Sequence, residues 1–406
     1  MNSEPSTRRE FLQTTAALAA SGLAPLPAAD DAATIPHPFL TPAADFYDVS
    51  RGEPKPHTLT GEALANARLT PETWRLEVVA DPFTSEVVKE PASLGKSLTI
   101  AAGTAFDLKA LVALGEKHRV RFVKVMQCLN IAEPLGQGLW EGVPLREVLR
   151  LCGTLTNVRR IYYRGFHNND PAQLFQSSLS YTEAMETPPG ELPAFLAWKL
   201  NGEAISLERG GPVRMIIPWA HGFKSIKWLQ QISVTNDYRA NDTYAEKNND
   251  PDSHLKTAAY IDPGSDHFKA GRPVAITGRV ISGLSGLRRV EGWLHRVDPS
   301  APPLSEAGAP WTPCDLEAPP TDWSSALPAG VSSRDVLGFD PESGRPLTWP
   351  LRYSMISWSA TLTDLKPGHY EFRARAVDLN GYGQPEPRPV PKTGKNAIEV
   401  HRFEVT

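Results

Sequence analysis

The chain has very little cysteine. Cys128, Cys152 and Cys314 are the only three in 406 residues. That number builds no disulfide framework and leaves at least one thiol unpaired. No Cys-x-x-Cys-His run is present, so there is no c-type haem attachment site. Charge of one sign is also scarce. Lys and Arg total 42 against 46 Asp and Glu, a net charge of −4, with both signs mixed along the sequence. Without a basic stripe, nucleic acid is excluded as a partner class. Internal repeats and heptads are absent, which excludes solenoids and coiled coils. What the chain does have is proline: 38, against 30 glycines. Such a composition favours rigid connections and a β-rich or mixed fold over a helical bundle. A hydrophobic content of 41% is enough for two domain cores.

The stretch that organises the rest is Gly210 to Val234. Val213, Met215 and Ile217 alternate with Arg214 and Ile216, and Pro218 ends the run, so a strand is predicted there. Trp219 to Lys224, with Gly222, predicts a turn. Ser225, Lys227 and Gln230 alternate with Ile226 and Leu229 into a second strand. A glycine, a hydroxyl and fixed cations at a strand end suit an anion or a polar ring system. A charged hairpin with no ligand has the same pattern.

Cys128 is the second focus. Arg119 to Cys128 alternates as a buried strand, and Pro134, Gly136 and Gly138 predict a loop from Leu129 to Gly138. A thiol at a strand end is held at a rim, and thiolate is a soft ligand for a heavy metal. The alternative is a small buried hydrophobe. Cys152 is expected to pack at a helix end, and Cys314 to lie in a loop.

PVRMIIPWAHGFKSIKW resembles the pterin-binding segment of the sulfite-oxidase superfamily. The PW…GFKSIK wording is most similar to periplasmic methionine-sulfoxide reductase catalytic subunits. The resemblance covers roughly Asp45 to Asn248 and, more loosely, the C-terminal part. It implies a molybdenum-molybdopterin cofactor. Arg214, Ser225 and Lys227, with Ile226 among them, would contact it, with Arg209 at a position that also does so in relatives. Gly165 stands where relatives approach the pterin. Tyr47 and Asp48 stand where the reductase branch has a Tyr-Glu pair, although Ala44 replaces the expected Asn. Arg51 and His57 lie near the place of an Arg-x-x-His loop but at another spacing. Cys128 matches the molybdenum ligand, followed some 12 residues later by a Trp-x-Gly-x-Pro-Leu run at Trp140 to Leu145.

The substrate side departs from this pattern. Cys128-Leu129-Asn130-Ile131 lacks the arginines that follow the cysteine in sulfite oxidases. Trp198 replaces a tyrosine whose hydroxyl meets substrate, and an indole N–H donates but cannot accept or ionise. Trp140, Trp198, Arg164 and His221 are expected to line the substrate mouth. Arg164 would supply lost positive charge or be a solvated strand-face charge. His221 would be a proton donor or a surface turn histidine.

The expected fold class is α+β. A sulfite-oxidase-type molybdopterin-binding domain over 45–250 is followed by an immunoglobulin-like antiparallel β-sandwich over 251–406. That sandwich resembles the dimerisation domain of sulfite oxidases, with a Pro-rich irregular insertion at 299–350. Before both, Ser6 to Leu12, with Arg8-Arg9, resembles a twin-arginine export signal. The weakly apolar stretch after it is too short for a stable bilayer anchor. Residues 1–29 are the expected signal peptide and 30–44 an extended linker, placing the protein in the periplasm. The resemblance implies oxygen-atom transfer on sulfite or a related sulfur compound. A sulfoxide or other S- or N-oxide reductase is an alternative, as is a non-catalytic protein of this fold. A secreted β-sandwich adhesion module would explain only the C-terminal half. A separate redox partner, such as a cytochrome or membrane haem subunit, and a homodimer complete the expectation.

Overall fold

The computed structural model describes residues 37–81, 88–240, 243, 252–298, 306–385 and 397–406. The twin-arginine stretch, the first part of the 30–44 linker and most of the 237–252 loop lie outside the described residues. Residues Thr34–Thr406 form one compact unit.

Two sheets carry the N-terminal part. The first runs Phe106–Asp107, Arg75–Ala80, Leu229–Thr235, Arg160–Gly165, Gln176–Ser180, mixed in direction because Arg75–Ala80 and Leu229–Thr235 are parallel. The second runs Glu203–Ala204, Phe195–Leu200, Gly136–Pro144, Val120–Met126, and Arg214–Ile216 also pairs with Phe195–Leu200. Helices Leu108–His118, Leu145–Arg150 and Tyr181–Met185 pack beside them. Asp107 caps the first by accepting from the Ala110 N–H. Ser180 and Glu183 form a capping box on the third.

The alternating strands make two cores, one on each face of the second sheet. Leu196, Met215 and Ile217 face Leu76, Ile161 and Ile232 of the first sheet. On the other side Phe122, Phe195 and Ile216 meet Tyr260, Ile281 and Tyr353 of the C-terminal part. A strand covered on both faces needs no polar side, which is why every residue of Gly136–Pro144 is buried. Here the structure corrects the expected Leu129 to Gly138 loop: Gly136 and Gly138 are inside the strand. They are tolerated because large neighbours occupy the space of a side chain, Phe46 at Gly136 and Leu200 at Gly138.

From Ala258 onward the described chain forms a β-sandwich, antiparallel except where His267–Phe268 runs parallel to Glu399–Val405. One sheet runs Ala258–Ile261, Val274–Ile281, Met355–Leu362, Asp315–Leu316. The other runs His267–Phe268, Glu399–Val405, Gly368–Val377, Arg289–Arg296, Thr312–Pro313. Val274, Ile276, Trp358, Phe372 and Phe403 fill the space between them. The architecture is α+β as expected. The described part of the 299–350 segment is mostly irregular, in keeping with its composition, yet it is packed into the fold. Within its described part, Thr312–Pro313 and Asp315–Leu316 extend both sheets. Leu327, Val336 and Phe339 then bury themselves against Val123 and Leu139. Apolar side chains at wide intervals gave no periodic signal, yet they find one shared core.

Gly142 sits at a register irregularity between Gly136–Pro144 and Phe195–Leu200, where an added Cβ would lie 2.0 Å from the Leu196 carbonyl oxygen. Gly142→Ala is expected to destabilise the protein by about 1–3 kcal/mol, the scale of core overpacking. Urea unfolding followed by circular dichroism measures it.

Candidate functional site

The expected strand, turn, strand stretch is not a hairpin. Arg214–Ile216 and Leu229–Thr235 enter different sheets, and the chain between them crosses from one to the other. Backbone bonds hold the crossing: Met215 N–H donates to Ile226 O at 2.9 Å and Leu229 N–H to Val213 O at 2.9 Å. A short 3₁₀ turn, Gly222–Lys224, lies midway. Each flanking strand takes its ladder partner from its own sheet, and the segment between them spans a gap between the sheets. That gap is a cavity of ≈ 280 Å³.

Cations crowd its walls. Arg214 is buried in its strand, its guanidinium 5.1 Å from the Trp140 ring centroid. Its Nη1 and Nη2 donate to Arg209 O and Ser225 O, both at 2.7 Å. Burial and the Arg209 charge push its pKa down to about 9. Lys227 Nζ donates to Ser50 Oγ and Glu208 O at 2.7 Å and pairs with Asp48 at 3.0 Å. Burial and Arg214 push Lys227 down to about 8, against the opposing pull of Asp48. Ser225 Oγ accepts from Ile217 N–H at 3.1 Å and keeps its own proton for a ligand. Gly165 permits the close approach of this wall, since a Cβ there would be 2.0 Å from Lys227 O. Arg209 Nε and Arg214 Nε are buried without a hydrogen-bond partner. Buried, partly unpaired cations of this kind are costly unless an anion meets them.

At another wall lies Cys128, half-buried, two residues past the end of its strand. Gln127 Nε2 fixes the turn by donating to Cys128 O at 3.0 Å and Ile131 O at 2.8 Å. The other two thiols differ. Burial raises Cys152 to about 11, and burial with the charges of Asp315 and Glu291 raises Cys314 to about 12. Neither lines this cavity. Among the described residues no group of three or more His, Cys, Asp or Glu side chains could hold a metal ion. A metal here would have one protein thiolate and would bring its remaining ligands with it.

Of the expected residues, the cavity collects Cys128, Tyr47, Gly165, Arg209, Arg214, Ser225, Ile226 and Lys227, while Asp48 stands behind Lys227. The four residues expected at the substrate mouth are not on its wall. Trp140 is fully buried in the core behind Arg214. Trp198 packs against Gly115 on the far side of the sheet, because it alternates away from the cavity. His221 is neither a mouth residue nor a surface histidine: it is buried, and its Nδ1 faces Ser253 O at 3.1 Å. Arg164 lies one residue before the wall, in a row across the sheet with Gln231 and Glu77. It acts on the cavity through His167, which lines it: burial and the Arg164 charge hold His167 below the usual imidazole range.

Sequence reasoning missed Ser50, Arg51, His167 and Phe175, which also line the cavity, with the Arg51 guanidinium 4.6 Å from the Phe175 ring centroid. They come from two separated segments, 50–51 and the 166–175 connection, and the sequence spacing of Arg51 does not reveal its place on the wall. Lys124, fully buried, is missed because a lysine within an alternating strand reads as a solvent-facing position.

A cationic cradle facing a single thiol defines a binder of an anionic carrier that presents a thiophilic metal. Comparison with known proteins gives that carrier. Residues 64–243 match the oxidoreductase molybdopterin binding domain. The chain is 31% identical to nitrate reductase [NAD(P)H] of Betula pendula over 51% of its length, and 33% identical to nitrate reductase [NADH] of Spinacia oleracea over 54%. It is 23% identical to the mitochondrial sulfite oxidase of Drosophila melanogaster over 76% of its length. The aligned parts are only 22% of each nitrate reductase and 52% of the sulfite oxidase. The fold is similar to that of the sulfane dehydrogenase SoxCD from Paracoccus pantotrophus, with a TM-score of 0.53 at 18% identity, covering 86% of this chain and 83% of that one. Residues 64–243 are a molybdopterin-binding oxidoreductase domain, similar in sequence to nitrate reductases and a sulfite oxidase, and the cofactor of that domain is molybdopterin. The unpartnered Nε atoms of Arg209 and Arg214, opposite a lone thiol, fit that group.

Asp48 tests the electrostatics of the cradle. Burial opposes its ionisation, but hydrogen bonds from Ser50 and the charge of Lys227 outweigh burial and hold its carboxyl well below the usual range. A lowered folded pKa stabilises the fold above about pH 4 and loses that contribution as pH falls. Asp48→Asn in the cofactor-free chain is expected to flatten the stability loss between about pH 5 and pH 2, read from denaturant midpoints at each pH.

Proposed function

We propose that the protein transfers an oxygen atom to or from the sulfur of an organic substrate that is neutral or carries one negative charge. The observation that carries this reading is the wall near Cys128. It is formed by Met126, Ile131, Leu135, Phe175 and Phe223, with Arg51 and Asn130 as its polar groups. A compact dianion such as sulfite needs several cations to replace its hydration. Arg209, Arg214 and Lys227 are engaged at the pterin end, which leaves one guanidinium on the substrate side.

The bound cofactor supplies two-electron oxygen-atom exchange with water at molybdenum. The residues of the chain supply the rest. Cys128 would hold the metal, and Arg209, Arg214, Ser225 and Lys227, with Gly165 and Ile226 beside them, would hold the anionic pterin. Arg51, stacked on Phe175, orients an oxo or anionic group of the substrate, while Phe223 and Ile131 exclude water around its apolar body. In the oxidising direction the substrate gains one oxygen from water and releases two electrons and two protons. His167, kept neutral by burial and Arg164, accepts a proton at the wall. The electrons pass to a separate redox partner, such as a cytochrome or membrane haem subunit. The twin-arginine resemblance supports export to the periplasm, and the sandwich supports a homodimer.

Sulfite is the second reading, favoured by similarity to a sulfite oxidase over 76% of the chain. A screen of the molybdenum-loaded protein with an artificial electron donor and acceptor separates the two. Turnover of thioethers or sulfoxides with kcat/KM at least about tenfold above that for sulfite is expected, a gap of about 1.4 kcal/mol; the reverse order overturns the first reading. Cys128→Ser is expected to lose bound molybdenum by metal analysis while changing the unfolding free energy of the cofactor-free chain by less than about 1 kcal/mol, since its side chain is half-exposed.

A further inference from the structure

Lys124 is fully buried in the strand Val120–Met126, four residues before Cys128. Its Nζ donates to Pro218 O at 2.9 Å and to Ala220 O at 3.1 Å. Two residues further on, Gly222 N–H donates to Gln127 O at 2.7 Å. These three bonds stitch the strand that delivers the metal ligand to the segment that delivers Ser225 and Lys227. Among the described residues no carboxylate pairs with Lys124.

The charge acting on Lys124 is that of Arg214, which is itself buried and stacked on Trp140. A buried ammonium beside a buried guanidinium is repelled into its neutral form. Burial first, then Arg214, push Lys124 down to about 7. The other charged groups of this region have partners of their own. Lys227 meets Asp48, Arg209 meets Glu208, Lys224 donates to Ser178 O, and His221 Nδ1 faces Ser253 O. An anion at Arg209 and Arg214 cancels the repulsion on Lys124. The restored ammonium then holds both carbonyls with charge-assisted bonds, which are about twice as strong as neutral ones.

We infer that Lys124 is a positioning residue for the cofactor: seating the anionic pterin takes up a proton at its amine, and the ammonium clamps the 218–227 segment against the Cys128 strand. This rests on the molybdopterin reading of the site. It differs from a packing role because it links cofactor affinity to pH.

The test uses the full-length, cofactor-free chain reconstituted with the molybdenum cofactor from about pH 6 to pH 9.5. Molybdenum per chain and fluorescence of the oxidised pterin report uptake. Ligation by Cys128 and titration of Lys227, whose pKa lies near 8, add their own pH dependence, so the readout is the difference in slope between variants. Between about pH 7 and pH 9, wild-type affinity relative to Lys124→Arg is expected to fall about tenfold per pH unit, the signature of one linked proton. Lys124→Arg, charged throughout, retains uptake at high pH. Lys124→Met, matched in length, binds more weakly near pH 6.5 and shares the shallower slope. Circular dichroism checks that each variant folds, and either variant alone gives the slope comparison. A wild-type slope in Lys124→Arg, or in Lys124→Met, overturns the inference alone. No uptake by wild type at any pH overturns the molybdopterin reading and this inference with it.

Discussion

The structure depends on a concentration of positive charge that the protein does not neutralise by itself. Arg209, Arg214, Lys227 and Lys124 are gathered where two sheets part, and Asp48 and Glu208 are the carboxylates paired with that group among the described residues. Left alone, such a set costs free energy through desolvation and mutual repulsion. It persists because the surrounding β-structure is rigid enough to hold it. An anionic ligand then turns the repulsion into attraction at no further cost of reorganisation.

The rigidity comes from the middle sheet. It is packed on one face by the first sheet and on the other by the C-terminal sandwich. A sheet with no solvated face cannot slip by one residue without burying the wrong set of side chains. Cys128, just past one of its strands, and Arg214, on another, are therefore fixed relative to each other. The sandwich and the 306–350 segment help set the precision of the site by completing the cores behind it.

Function divides the cavity in two. The end at Arg209, Arg214 and Lys227, where we propose that the pterin sits, is cationic and polar. The end beneath Cys128 is apolar and aromatic with one stacked guanidinium. Under the proposed function, the cationic end serves the cofactor and the apolar end serves the substrate.

Local pattern in the sequence determined most of the strands and the α+β class, and the family resemblance pointed to the cofactor end of the site. Arg209, Arg214, Ser225, Ile226 and Lys227 sit in one short stretch of chain, whereas Tyr47, Asp48 and Gly165 join them from other segments. Tertiary structure alone decided the substrate end. Trp140, Trp198 and His221 have the right chemistry, but strand alternation and packing turn them into the core, whereas Ser50, Arg51, His167 and Phe175 reach the cavity from separated loops. Which face a side chain occupies follows from register and from what lies across the gap, and neither is written in the spacing of a single strand.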